Sequence, residues 1–189
     1  MNLAYSIPSR TAYQELLDLP ENLVGEILNG ELHTQPRPSG PHGNAETGMS
    51  AVLRPPFHLG KGGPGGWWIL VEPEIHFVRD TQVAVPDLAG WRRERMPRLP
   101  EGHRFEIVPD WVCEILSPGT ARKDRSLKLP LYAHHGISHV WLVDPLARSL
   151  EAYELRGEQW NLLGVLHDDA LVTLSPFAAV SFSLADLWA

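Results

Sequence analysis

The chain has 189 residues, 43% hydrophobic and 21% charged, with a net charge of −7 at neutral pH. Those values suit one folded domain over residues 1–189 with a sizeable core, and they exclude a disordered or fibrous chain. Cys113 is the only cysteine, which excludes an internal disulfide and a cysteine-built zinc site. The opening "MNLAYSIPSR" has no basic flank leading into an apolar run, so it does not read as a signal peptide. No window approaches the roughly 18 apolar residues of a spanning helix, and the expected compartment is the cytoplasm. The negative charge argues against broad nucleic-acid coating. Residues 79–128 nevertheless carry ten of the sixteen basic residues, against eight acidic ones.

In chain order, "TAYQELLDL" predicts a helix capped by Thr11, with Tyr13, Leu16 and Leu17 on one face. "LVGEILNGELHTQ" predicts an N-terminal hairpin turning at Asn29-Gly30, with Glu26, Leu28, Glu31 and His33 on one face of the ribbon. "PRPSGPHG" reads as a loop holding His42. "HGNAETGMSAVLRPPF" reads as a helix ended by Pro55-Pro56, and the glycine-rich 59–66 as a mobile loop. Strand-like runs follow at 67–78, interrupted by Pro73, then at 81–91 and at 111–116. An arginine- and proline-rich loop, 92–109, separates the last two. "SPGTARKDRSLKLPLYAHHG" predicts loop and helix closed by Gly136, "ISHVWLVDP" a buried strand, and the tail a C-terminal hairpin with a short last helix. Strand, helix, strand over 111–143 requires a crossover, so the class is α/β, a mixed β-sheet flanked by helices.

The informative residue is Glu114 in "WVCEIL". An acid among Trp111, Val112, Cys113, Ile115 and Leu116 is costly unless paired, protonated or metal-bound. "VPD" in the 81–91 run ends in Asp87, and the next predicted strand carries Glu114; if the two strands pair side by side, both carboxylates can emerge at one sheet edge. A hard cation such as Mg²⁺ takes one or two carboxylates and keeps its other positions for water and substrate, and the backbone carbonyl beside Glu114 is a further candidate ligand. The plain alternatives are a turn-forming role for Asp87 and an arginine ion pair for Glu114.

"VPDLAGW" followed by "CEILSPGTARKDRSLKLPLYAHHGISHVWLVDP" resembles the Uma family of bacterial putative restriction endonucleases, of the PD-(D/E)XK nuclease superfamily. The likeness extends to "GEILNGEL" and the His42 segment upstream and to the terminal hairpin downstream. It implies a restriction-endonuclease-like fold, Asp87 and Glu114 as ligands of Mg²⁺ or Mn²⁺, and Glu26 as a further acid at the site. In the superfamily a lysine stands two residues past the glutamate, where this chain has Leu116. The family-like pattern offers Lys128 instead, and a lysine's long stem can deliver its ammonium from a neighbouring segment. Asp124 lies one helical turn before it.

The resulting expectation is a metal-dependent endonuclease acting on DNA, with Asp87, Glu114, Lys128 and Glu26 catalytic. Arg92, Arg93, Arg95 and Arg122 are the DNA-contacting candidates, and a homodimer follows by analogy. The alternatives are a catalytically silent nucleic-acid-binding module on the same fold, or a hydrolase of small phosphoesters. Tyr132 is a packing residue or a hydroxyl donor at the site; Glu31, Glu74 and His42 are left open. His134 and His135 are adjacent and point apart on a helix. "GKGGPGG" lacks the Ser or Thr of a nucleotide-binding loop, and the tryptophans read as core.

Overall fold

The computed structural model describes residues 10–188, so the opening segment discussed above lies outside the described residues. A short helix, α1 (Ala12–Leu17), begins at Thr11, whose side chain and that of Gln14 reciprocally cap the first turn. Tyr13 is buried and Leu16 packs beside it. Leu17, expected on the same face, is 58% exposed because only the Tyr13 stripe of this short helix meets the sheet. The hairpin β1 (Leu23–Leu28) and β2 (Glu31–Pro36) has the expected register, Leu28 opposite Glu31 and Glu26 opposite His33. Asn29 and Gly30 both take positive φ, as a type I′ turn requires.

The second helix, α2 (Gly40–Leu53), starts earlier than expected, so His42 sits in its first turn rather than in a loop. Pro55 and Pro56 do not end it. The chain continues through a π-helical turn, Arg54–His58, in which the Leu59 N–H donates to the Arg54 carbonyl five residues back. The glycine-rich loop, expected to be mobile, folds back on this turn. Its Lys61 and Gly65 N–H groups donate to the Pro55 and Pro56 carbonyls, and these bonds supply the order that its sequence alone lacks.

Pro73 does more than interrupt a strand. Positive φ at Glu72 swings the chain so that β3 (Trp67–Val71) and β4 (Glu74–Val78) enter different sheets. The 81–91 run likewise divides at Pro86-Asp87 into β5 (Gln82–Ala84) and β6 (Leu88–Arg92). Then come β7 (Arg104–Phe105), β8 (Trp111–Ile115) and a helical stretch over 121–134, comprising α3 (Ala121–Lys123), a π-helical turn (Asp124–Lys128) and α4 (Leu129–His134). The strand β9 (His139–Asp144) and the C-terminal hairpin β10 (Ser149–Arg156) with β11 (Gln159–His167) follow. The described chain closes with a small ladder, β12 (Leu171–Val172) with β13 (Phe182–Ser183), and a 3₁₀ turn, Leu184–Leu187.

The larger sheet runs β11-β10-β9-β8-β6-β3, with β8 and β9 parallel around the 121–134 helix and the other neighbours antiparallel. The smaller runs β2-β1-β5-β4-β7. One face of the larger sheet packs on α2 and the C-terminal segment through Trp111, Trp141, Met49 and Phe177. Its other face packs on the 121–134 helix and the smaller sheet through Trp91, Val112, Tyr132 and Leu28. This is the expected mixed α/β class, with the strands shared between two principal sheets. No helix among the described residues is long and apolar enough to cross a membrane.

Helix α2 approaches the C-terminal turn closely at Gly48. A Cβ there would stand 2.7 Å from the Asp186 carbonyl oxygen and 3.3 Å from the Leu187 Cα, both backbone atoms. Gly48→Ala therefore destabilises the protein by about 1–3 kcal/mol of overpacking, outweighing the smaller helix-propensity gain of about 1 kcal/mol. Equilibrium urea unfolding checks this; a stabilised variant contradicts it.

Candidate active site

Strand parity sets the site. On β8, Trp111, Cys113 and Ile115 enter the α2 core, while Val112 enters the opposite one. Glu114 has the parity of Val112 and so faces the 121–134 helix. In the antiparallel β6–β8 pairing Leu88 lies opposite Cys113, which brings Asp87 level with Glu114 at the strand end. Asp87 Oδ2 accepts the Ile115 N–H at 2.6 Å, fixing that carboxylate across the strand gap. On β1, Ile27 packs with Tyr13 and Val83, so its neighbours Glu26 and Leu28 turn toward the larger sheet.

The three elements meet at Lys128. Its ammonium lies 2.7 Å from Glu114 Oε1, 2.9 Å from Glu26 Oε1 and 3.9 Å from Asp124 Oδ1. The Tyr132 hydroxyl, one turn further on, donates to the same Glu114 oxygen. Glu26 Oε1 also accepts the Val85 N–H at 3.0 Å, while its Oε2 pairs with the Lys123 ammonium. Lys123 in turn donates to Gln35 Oε1 at 2.7 Å, tying the helix to the hairpin. Beside this group His42 Nε2 stands 3.2 Å from Asp87 Oδ1. His42 Nδ1 and Glu46 Oε1 are buried without a protein partner.

The helix can place these groups despite Pro130. Proline lacks an N–H and crowds the preceding turn. The π-helical turn before it widens the helix, with the Leu129 N–H donating to the Asp124 carbonyl. Asp124 and Lys128 then share the inward face, and the proline sits at the start of α4, where it is tolerated.

Charge is distributed unequally. Burial pushes the Glu26 carboxyl up, but the ammoniums of Lys128 and Lys123 outweigh it and hold the group at about 2. Glu114 is pushed well above the carboxylate range, first by burial, with one ammonium opposing the fields of Asp124, Asp87 and Glu26. Lys128, although desolvated, is held charged by Glu114 and Glu26. Burial raises Glu46 to about 7, helped by Asp87 and Glu72. His42 is raised because Asp87 outweighs its desolvation. The Glu26 carboxyl falls from an ordinary 4.5 to about 2, so its contribution to stability is complete above about pH 4.5 and disappears as pH falls through 2. Glu26→Gln is expected to flatten the acid limb of the stability–pH curve between these values, read by thermal melts; an unchanged limb contradicts it.

Asp87, Glu114, Lys128 and Glu26 are thus brought together, and Leu116, in the usual lysine position, is core. Arg122 lines the cleft above Asp87. The other expected DNA-contacting arginines, Arg92, Arg93 and Arg95, lie elsewhere. At about 3.3 Å per residue, β6 sets Arg93 roughly 20 Å from Asp87. The Arg93 guanidinium covers the Trp68 ring at 3.9 Å and donates to the His58 carbonyl, and Arg95 pairs with Asp110. Arg92 lies over Trp67. Glu31 is exposed, and Glu74 bonds Tyr13 and His76 away from the site. The sequence reading missed Lys123, Gln35 and Glu46. The i, i+4 spacing of His42 and Glu46 on one helix face was the available signal for Glu46; Gln35 has none, since its role depends on the hairpin's docking.

Asp87 opens onto a cleft of about 810 Å³ bounded by β2, the start of α2 and the 117–127 segment. Among the described residues, no group of three or more His, Cys, Asp or Glu side chains is placed to hold a metal ion by itself. What is present is a pair of carboxylates, Asp87 and Glu114, level with one another at neighbouring strand ends. That composition suits a hard divalent ion that retains water, and the mutual crowding of these acids is what such an ion relieves.

No curated protein matches the chain. A crystal structure of a putative nuclease belonging to DUF820, from Anabaena variabilis ATCC 29413, superposes with a TM-score of 0.69 at 28% identity, covering 94% of this chain and 97% of that one. Residues 12–186 match the Uma2 family, described as "Putative restriction endonuclease", and the chain belongs to that family.

Proposed function

We propose that this protein is a metal-dependent endonuclease that hydrolyses phosphodiester bonds in DNA. The observation that carries the reading is the convergence of Asp87, Glu114 and Lys128 from a strand end, a neighbouring strand and the following helix. Asp87 and Glu114 would hold Mg²⁺ or Mn²⁺, which when bound supplies a hydroxide nucleophile and neutralises phosphate charge. Lys128 orients Glu114 and the attacking water, while Glu26 and Tyr132 fix the positions of Lys128 and Glu114. Lys123 and Arg122, at the cleft, meet the phosphates.

One observation favours a second reading, a silent nucleic-acid-binding module: the Lys128 ammonium is 1% exposed and already engaged by two carboxylates. Incubation of the protein with linear and supercoiled DNA, with and without Mg²⁺, Mn²⁺ and chelator, separates the two. Metal-dependent cleavage lost in Asp87→Asn supports the nuclease; salt-sensitive binding without cleavage supports the module.

A further inference from the structure

The cleft over Asp87 restricts what can reach the carboxylates. Asp87, which lines the cleft, is 8% exposed, and Glu114 behind it 2%, so a phosphodiester must enter the cleft rather than rest on its rim. At about 810 Å³ the cleft has the size of a small-ligand pocket, typically about 300–1,000 Å³. A duplex reader instead spreads contacts over about 1,000 Å² or more of positive surface. Among the described residues, Arg93 and Arg95 add nothing to such a surface at the cleft, because they are committed to Trp68, His58 and Asp110 at the far end of β6.

Within the cleft the charges are mixed. The exposed side chains of Arg37 and Arg122 line it against the carboxylates of Asp87 and Glu72, with Lys123 behind them tied to Glu26 and Gln35, in a molecule of net charge −7. Hydroxyls of Thr34, Ser39 and Thr120 add donors for phosphate oxygens, and among the described residues no Phe, Tyr or Trp lines the wall to select a base. We propose that the strand entering this cleft is single-stranded DNA (a frayed end, flap or gap), read through its backbone, and not an intact duplex. This rests on the proposed nuclease reading and narrows its substrate.

The test is fluorescence anisotropy of the wild-type protein in chelator, where binding is read without cleavage. The ligands are a labelled 12-nucleotide single strand, the same sequence as a blunt duplex, and a duplex carrying a single-stranded flap. The expected result is at least tenfold tighter binding of the single strand and the flap than of the blunt duplex. Arg122→Ala, an exposed position, should reduce single-strand affinity and lower the slope of log K against log salt by about 0.7, the share of one phosphate contact. Equal or tighter binding of the blunt duplex overturns the inference, as does no binding of any of the three, or an Arg122→Ala slope unchanged from wild type. Failure of cleavage with every substrate, alongside a retained single-strand preference, would sink the nuclease reading and leave this one standing.

Discussion

Lys128→Met is expected to lose about 3–5 kcal/mol of stability and to lower the melting temperature by roughly 6–20 °C. The methionine fills most of the space of the lysine stem but brings no charge. The ammonium now sits between Glu26 and Glu114, which are 0% and 2% exposed, so its removal strands negative charge in the interior. Glu26 retains the Lys123 ammonium and the Val85 N–H. Glu114 retains only the Tyr132 hydroxyl, and since burial already pushes its carboxyl up, it takes a proton rather than remain charged. That places the cost chiefly on Glu114. Combining Lys128→Met with Glu114→Gln should then cost clearly less than the sum of the two single changes. Urea unfolding of the four proteins in the cycle measures this. A loss under about 1 kcal/mol for Lys128→Met would contradict a charge held between two carboxylates.

Asp87→Asn gives the largest expected loss of activity, about 10³-fold or more in cleavage rate, corresponding to the several kcal/mol of transition-state stabilisation a metal supplies. The fold should survive. Asparagine keeps one oxygen for the Ile115 N–H, and its amide can donate to a neutral His42 in place of the present pair. Melting within a few degrees of wild type, together with loss of Mn²⁺ binding in calorimetry, would separate a ligand role from a structural one. Cleavage that persists in the variant would remove Asp87 from the reaction.

Much of this was legible in the residues, for identifiable reasons. Asn29-Gly30 specifies its own turn, which fixed the face of Glu26 before any tertiary contact was known. Glu114 stood out because a charge in a fully apolar strand has few affordable environments, and Asp124 to Lys128 is a one-turn spacing that holds through the π-helical turn. The departures came from backbone chemistry beyond local pattern. Pro55, Pro56 and Pro130 suggest breaks, yet in each case a five-residue hydrogen bond lets the helix pass. Pro73 and Pro86 hide strand ends, so two apparent strands proved to be four, in two sheets. The arginines of 92–95 form a basic cluster in the sequence, but their guanidiniums are consumed by tryptophan rings, carbonyls and Asp110 once the chain folds. Lys123 and Gln35 pair across 88 residues, a contact no local signal announces.

The hairpin that carries Glu26 has a further consequence. Its outer strand, β2, is a sheet edge, and β1 meets β5 at a single register pair, Ile27 with Val83. A brief detachment of this ribbon would free Lys128 from one of its two anchors while the larger sheet stayed intact. Catalytic competence would therefore vanish in a sub-global opening, well before the molecule melts. Amide exchange along 23–36 should run faster than along 139–144, and the temperature at which turnover fails should fall below the calorimetric midpoint.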